Sequence, residues 1–197
     1  MQHRKQNPVW VRQFISAFIL ATIFAIITML PVGAQTSQAS FVLNGTLKGT
    51  YKDWRLFVDT DSAIKTCYIV GEPREMEPRN AKRGEVFLSV AHRPAQGVRN
   101  EINVRIGYPF SAISKPFAEI GADEFSFFTG VQAQNGADGA AWLAKISQQP
   151  RMVTAMKRGL WMIFKGTSAR GTLTTDSYSL RGFTAAMRAL DAACPKR

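Results

Sequence analysis

The residues that could perform acid–base or nucleophilic chemistry are few in this chain. Only one histidine, His92, lies outside the first 34 residues, and a hydrolytic triad needs a histidine, an acid and a nucleophile that converge. The segment Gly166–Arg170 (GTSAR) resembles a nucleophile elbow around Ser168, but Arg170 stands where that motif requires glycine. The elbow also leads from a strand into a helix, whereas a β-rich segment follows here. We therefore expect Ser168 to be a turn residue and the protein not to be an enzyme.

The acidic residues select neither a catalytic pair nor a metal centre. One histidine without an HExxH motif or a cysteine cluster does not build a usual zinc site. The acidic turn Asp59–Asp61 lacks the ligand spacing of a calcium loop. Glycoside hydrolysis needs two facing carboxylates, and the fourteen acidic residues supply many pairs without singling one out. The sequence predicts no cofactor and no metal, and it leaves a hydrolase with unidentified carboxylates as an alternative.

The first 34 residues have the three parts of a secretory signal. Basic residues without acidic ones precede an apolar run of 17 residues, Phe14–Leu30, and the small residues Val32–Ala34 follow it. This pattern predicts a signal peptide over residues 1–34, cleavage before Gln35, and a location in the periplasm or cell envelope. The alternative is a retained membrane anchor, although a spanning helix needs about 20 apolar residues.

The two cysteines, Cys67 and Cys194, are expected to pair. Their separation excludes a CxxC redox motif and a zinc knuckle, and two thiols in an oxidising compartment usually form a disulfide. Such a bridge would close nearly the whole domain, for which the chain-entropy model gives about 4–5 kcal/mol. Two free structural thiols are the alternative.

Basic residues outnumber acidic ones by 25 to 14, which gives a net charge of +11. Residues 1–34 hold three basic and no acidic residues, so removing them leaves 22 basic and 14 acidic residues and a net charge of +8. Outside the cytoplasm this charge favours anionic envelope or host-surface polymers, or another envelope protein, over nucleic acid. The alternative is that the cations merely populate exposed loops. The residues predicted to form a polyanion- or partner-binding rim are Arg83, Arg93, Arg99, Arg170 and Arg181.

Alternating apolar side chains predict an antiparallel sheet with one buried face. Glu101–Tyr108 is the clearest strand, and Val86–Val90 gives a partner of similar length. The charged segment Glu72–Arg83, which contains two prolines, is predicted to be a solvated loop. Further strands are predicted at residues 41–43, 54–59, 66–71, 125–128, 160–164 and 172–178.

Two helices complete the predicted fold. One extends from Pro150 to Gly159, with the glycine as a left-handed stop, and the other covers Gly182–Ala193. Phe183, Met187, Leu190 and Cys194 form one stripe of the second helix, which directs Cys194 inward towards Cys67. Seven or eight short strands and few helices predict an immunoglobulin-like antiparallel β-sandwich over residues 53–197. A spacer and a first short strand occupy residues 35–52.

Several motifs occur in a fixed order along the chain. They are GYPF at 107–110, AMKRG at 155–159, KGTSARG at 165–171, TDSYSLRGFTAA at 175–186 and Cys194, with Trp54, Cys67–Tyr68 and Arg93–Pro94 before them. This series resembles the invasion-associated locus B family. The resemblance implies a Gram-negative envelope protein, periplasmic or attached to a membrane, with a β-sandwich fold. Many members of that family carry a further cysteine soon after the tryptophan, in the region where this chain has Val58–Asp59, so the family's disulfide pattern is not transferred, and no catalytic residue is carried over.

The sequence therefore predicts an exported envelope protein with a non-catalytic binding role, in envelope integrity or in host-cell association and invasion. Peripheral membrane association is compatible with this role. Besides the hydrolase, a purely structural or stress-protective periplasmic factor is the alternative. Part of the motif density also has a folding explanation, because Gly171 allows a positive φ in a turn and Gly182 lets the chain enter the last helix.

Overall fold

Eleven antiparallel strands dominate the computed structural model, which describes residues 45–61, 63–135 and 137–196. The predicted signal peptide, the residues that follow it and the predicted strand at 41–43 lie outside the described residues. Within the described ranges, no helix is long and apolar enough to span a membrane.

The strands form one continuous sheet in the order β1-β2-β3-β5-β6-β9-β8-β7-β10-β11-β4. Their bounds are β1 Thr46–Tyr51, β2 Trp54–Asp59, β3 Thr66–Gly71, β4 Pro73–Glu77, β5 Val86–Arg93, β6 Val98–Ile106, β7 Phe117–Ile120, β8 Asp123–Thr129, β9 Ala140–Leu143, β10 Trp161–Thr167 and β11 Leu173–Ser179. The α-helices are α1 Gly130–Ala133, α2 Gln149–Arg158 and α3 Phe183–Ala193, and single 3-10 turns cover Pro94–Gln96 and Ile146–Gln148.

Side chains from both halves of the sheet meet in one hydrophobic core. Trp54, Leu88 and Val104 come from the half that contains β2, β5 and β6, and Phe164 and Tyr178 come from β10 and β11. Burying each large apolar side chain contributes about 1.5–3 kcal/mol. The two halves therefore cover each other's apolar face, and the predicted antiparallel β-sandwich with a C-terminal helix is confirmed.

The period-two patterns place this core correctly. In the β5–β6 pair, Leu88 lies opposite Val104 and Val90 lies opposite Ile102, and all four side chains are fully buried. β2 alternates in the same way, with every second residue from Trp54 buried. The alternation is a property of the strand backbone, which explains why the sequence located these strands.

The C-terminal helix packs on the sheet through the predicted stripe. Phe183, Met187, Leu190 and Cys194 are at most 1% exposed, and Cys194 is bonded to Cys67 of β3. The helix begins after Gly182, whose φ is +91° and whose hypothetical Cβ would lie 1.9 Å from the carbonyl oxygen of Tyr51. Only glycine fits this close approach of the β1–β2 turn.

Three predictions of local structure are wrong. The segment Glu72–Arg83 is not all loop, because Pro73–Glu77 forms β4 and pairs with β11. A proline is tolerated as the first residue of an edge strand, and charged side chains suit that edge. Gly159 ends α2 with φ −75° rather than in the left-handed region. The predicted count of seven or eight strands is too low, since β1, β4 and the four-residue strands β7 and β9 were not recognised.

Asp53 stabilises the turn between β1 and β2 through its backbone N–H and its carboxylate. The backbone N–H of Asp53 donates to the carbonyl of Arg181 at 3.3 Å, and its carboxylate pairs with Arg74. The hydroxyl of Ser179, followed by the guanidinium of Arg74, holds the pKa of Asp53 below its ordinary value of 3.8. Nearby, the indole N–H of Trp54 donates to the carbonyl of Ser179 at 3.1 Å.

We expect Asp53→Asn to lower the free energy of unfolding by about 0.5–1 kcal/mol near neutral pH, as for a partly exposed hydrogen-bonded pair. Because the folded state depresses the pKa, the stability due to the carboxylate is fully present above the unfolded pKa and is lost as the pH falls through the folded one. The difference between wild type and variant should therefore shrink below about pH 4. Urea unfolding at a series of pH values measures it, and a difference that stays constant down to about pH 2 would contradict the assignment.

Candidate binding cleft

The five arginines predicted to form a rim lie in three different environments. The structure corrects the prediction most clearly for Arg83. Its guanidinium binds Asp176 through two bonds of 2.6 Å, and its Nε donates to the carbonyl of Ile106 at 2.9 Å. The side chains of Arg83 and Asp176 are 4% and 0% exposed. Arg83 is therefore a buried structural cation and is not available to a polyanion.

Arg93 and Arg99 are engaged in partly buried ion pairs. Arg93 binds Glu101 through two bonds of 2.9 and 2.6 Å across the β5–β6 hairpin. Arg99 binds Asp191 of α3 and donates to the carbonyl of Cys194 at 2.9 Å. These two cations tie the hairpin to itself and to the C-terminal helix, so acidic partners already offset their charges.

Arg170 and Arg181 are exposed, and neither has an ion-pair partner within the described residues. Arg181 follows β11 at the turn that receives Asp53. Arg170 lines a cavity. Its position at the tip of the β10–β11 hairpin therefore gives the starting point for a candidate site.

The cavity beside Arg170 is a cleft of about 640 Å³, which we call the Tyr108 cleft. Three separate connections form it: the segment between β4 and β5, the residues after β6, and the β10–β11 hairpin. Its volume lies in the range of ligand-binding sites, about 300–1,000 Å³. The lining residues are Asn80, Ala81, Lys82, Tyr108, Pro109, Ser168, Ala169, Arg170, Thr172 and Thr174.

Close backbone contacts bring these connections together. Gly84 donates its N–H to the carbonyl of Gly107 at 2.8 Å. A Cβ on Gly107, whose φ is +75°, would lie 2.6 Å from the carbonyl oxygen of Gly84. The GYPF motif therefore needs glycine at its first position so that the segment carrying Lys82 can reach Tyr108. The N–H of Ala169 also donates to the carbonyl of Pro109 at 2.9 Å, which fixes the hairpin beside the same residues.

Hydroxyl groups dominate the polar lining of the cleft. The hydroxyls of Tyr108 and Thr174 are hydrogen-bonded to each other, and Thr174 donates to the carbonyl of Gly166 at 3.2 Å. Ser168 accepts a hydrogen bond from the N–H of Thr172 at 3.1 Å. Ser168 therefore lies in the turn between β10 and β11, as predicted, and Gly171 has the predicted positive φ, +80°.

The Arg83–Asp176 pair lies directly behind this lining. The guanidinium of Arg83 is 5.2 Å from the centroid of the Tyr108 ring, and Asp176 is two residues beyond Thr174 on β11. Burial raises the pKa of Asp176, and the hydrogen bonds from Arg83 offset part of that effect. The pair thus holds the Tyr108 ring in place while contributing little net charge to the cleft.

His92 belongs to a different cluster, next to the disulfide. It is fully buried, opposite Cys67 in the β3–β5 register. Its Nδ1 accepts the N–H of Asn100 at 3.1 Å, so the hydrogen-bond network assigns the ring proton to Nε2, which lies 3.0 Å from Asp191. The cluster anchors α3 to the β5–β6 hairpin. Across the described ranges, no group of three or more histidine, cysteine or acidic side chains could hold a metal ion.

Sequence reasoning missed most of the cleft. Lys82, Tyr108 and Thr174 come from three distant parts of the chain, and nothing in their local sequence indicates a shared cavity. The motif order carried a signal, because GYPF at 107–110 and KGTSARG at 165–171 meet in this cleft.

Comparison with known proteins gives one family and one solved structure. A family model described as "Invasion associated locus B (IalB) protein" matches residues 54–191. No curated protein matches the chain. A crystal structure of invasion associated protein B from Bartonella henselae is similar at 18% sequence identity and a TM-score of 0.49, and the match covers 75% of this chain and 97% of that chain.

Proposed function

Because this chain belongs to the invasion associated locus B family, as its motifs indicate, we propose that it is an exported envelope protein that binds an anionic ligand in the Tyr108 cleft without catalysis. All residues that line the cleft lie within the matched range, 54–191. The family's name connects its members with host-cell invasion. Binding of an anionic envelope or host-surface polymer is a role that serves both envelope integrity and cell association.

The charge of the lining carries this proposal. Lys82 and Arg170 are exposed and have no ion-pair partner among the residues described, and the lining contains no carboxylate. Arg83, which lies behind the lining, is already neutralised by Asp176. A concave site that is lined by positive charges raises the local concentration of anions. An anionic group that enters the cleft therefore meets two cations and no competing acid.

Three observations support binding rather than hydrolysis. His92, the only described histidine, is buried beside Asp191 and Asn100 and is absent from the lining of the cleft. Ser168 has Thr172 as its hydrogen-bond partner, and no general base contacts it within the described part of the chain. Because no carboxylate lines the cleft, the acid and base that glycoside hydrolysis requires are also missing from it.

We expect the double substitution Lys82→Ser and Arg170→Ser to weaken retention on immobilised lipopolysaccharide or heparin. The variant should elute at lower salt, and its affinity should fall by about tenfold or more, because both cations of a concave site are removed. Salt-gradient elution followed by titration measures the change. The matched control is Lys157→Ser with Arg158→Ser, which removes the same charge from the exposed end of α2.

The control variant should change affinity by less than about threefold, because its charges lie outside the cleft. Equal losses in the two double variants would show that only net charge matters and would contradict a site at the cleft. Failure of the wild-type protein to bind either polymer at low salt would remove the proposal altogether.

A further inference from the structure

The hydroxyl of Tyr108 offers only an acceptor to a ligand. Thr174 uses its single hydroxyl proton in the bond to the carbonyl of Gly166 at 3.2 Å. In the bond between the two hydroxyls, Tyr108 is therefore the donor and Thr174 is the acceptor. Burial raises the pKa of Tyr108, which keeps the phenol protonated. The remaining lone pair on its oxygen can accept one hydrogen bond from a molecule in the cleft.

The hydroxyl of Ser168, in contrast, offers a hydrogen-bond donor to a ligand. Its oxygen accepts the N–H of Thr172 at 3.1 Å, and its proton has no acceptor within the described residues. Ser168 is 7% exposed and lines the cleft, so a ligand oxygen that enters the cleft can accept this proton. Ser168, Lys82 and Arg170 are among the side-chain donors of the lining, and such donors favour an oxyanion.

A ligand that satisfies Tyr108 together with these donors therefore combines anionic oxygens with a hydrogen-bond donor such as a hydroxyl. Resting on the binding role proposed above, we infer that the ligand of the Tyr108 cleft is an acidic saccharide, a sugar chain that carries carboxylate or phosphate groups beside free hydroxyls. A polyphosphate supplies the oxyanion without the hydroxyl donor, and a neutral sugar supplies hydroxyls without the charge. The apolar surfaces of Ala81 and Pro109 in the same lining suit the C–H faces of a sugar ring.

Three probes separate these chemistries in isothermal titration of the purified protein. Trigalacturonate has carboxylates and hydroxyls, its methyl ester has hydroxyls alone, and tripolyphosphate has charge without hydroxyls. We expect trigalacturonate to bind at least about tenfold more tightly than either of the others at the same ionic strength. The methyl ester lacks the charge-assisted bond, and tripolyphosphate lacks the hydroxyl bond. Uronates and phosphorylated sugars share this chemistry. Comparing the affinity for mannose 6-phosphate with the affinity for free phosphate shows whether a phosphorylated sugar is bound through its sugar as well as its phosphate.

Tyr108→Phe tests the acceptor itself. The ring and its contact with Arg83 remain, while the oxygen that accepts from the sugar is lost. We expect the affinity for trigalacturonate to fall by about fivefold and the affinity for tripolyphosphate to stay unchanged. Arg170→Ser should lower both. Tyr51→Phe, at a half-buried tyrosine outside the lining, serves as the matched control.

The outcomes distinguish this inference from the proposed function. If trigalacturonate and tripolyphosphate bind equally, and Tyr108→Phe affects neither, the saccharide inference is overturned while an anionic cleft stands. If the methyl ester binds as tightly as the free acid, the requirement for charge fails and both proposals fall. If Arg170→Ser changes no affinity, binding takes place elsewhere, and both are again overturned.

Discussion

Replacing Arg83 with methionine should lower the free energy of unfolding by about 3–5 kcal/mol, because it leaves the carboxylate of Asp176 buried without its partner. Asp176 is fully buried and binds the guanidinium through two bonds of 2.6 Å. The same substitution removes the donor to the carbonyl of Ile106. Domains of this size have a total stability of about 5–15 kcal/mol, so the loss is a large fraction of the whole.

Chemical unfolding followed by tryptophan fluorescence measures this effect, and Arg93→Met is its matched control. Arg93 also binds a carboxylate through two bonds, but its side chain and that of Glu101 are 22% and 26% exposed. The control should therefore cost about 1 kcal/mol or less. The double variant Arg83→Met with Asp176→Leu should recover most of the stability, since an apolar pair needs no desolvation of charge. A cost for Arg83→Met no greater than for the control would contradict the buried-pair account.

The sequence predicts those parts of this fold whose signal repeats along the chain. Ile102, Val104 and Ile106 point to the core because a strand alternates its side chains. Phe183, Met187 and Leu190 share a buried stripe because a helix returns to the same face every three or four residues. Such periodic patterns can be recognised within a single segment. The strands of the β5–β6 hairpin and helix α3 could therefore be located without knowing which elements pack against them.

Long-range pairing is what the sequence does not contain. Arg83 stands in a charged segment with prolines nearby, which favours an exposed loop. Its environment is set instead by Asp176, 93 positions away, and by the edge strand β4 that brings the segment onto β11. A local pattern gives the average exposure of arginine in such a segment, and it carries no information about a partner on another strand.

The candidate site shows the same limit. Of the five arginines expected to form a rim, only Arg170 lines the Tyr108 cleft. Lys82 and Tyr108 reach it because Gly84 and Gly107 approach each other closely. A periodic sequence pattern does not predict such a long-range contact. The cleft is therefore a product of how the connections meet, whereas the strands that were predicted follow from the alternation of their side chains.

Replacing both cysteines, Cys67→Ser with Cys194→Ser, should lower the free energy of unfolding by about 4–5 kcal/mol. The bond joins residues 127 positions apart, so it removes a large number of open conformations from the unfolded chain. In the folded state it connects β3 to the residue that follows α3. The two serines occupy a site that is fully buried, and this adds the cost of two hydroxyls without assured partners.

Guanidinium unfolding of the wild type with and without dithiothreitol separates the contribution of the bond from that of the serines. The reduced wild type should lose most of the 4–5 kcal/mol by itself, since reduction restores the freedom of the unfolded chain while leaving the side chains in place. Helix α3 should stay docked in the reduced protein, because His92 contacts Asp191 and Lys65 donates to the carbonyl of Ala193 without help from sulfur. Near-ultraviolet circular dichroism of the reduced protein reports that docking through Trp54, whose ring contacts Phe183 at a centroid distance of 4.9 Å. Free thiols at both positions in protein purified without reductant, or identical unfolding curves in both conditions, would contradict the role assigned to this bond.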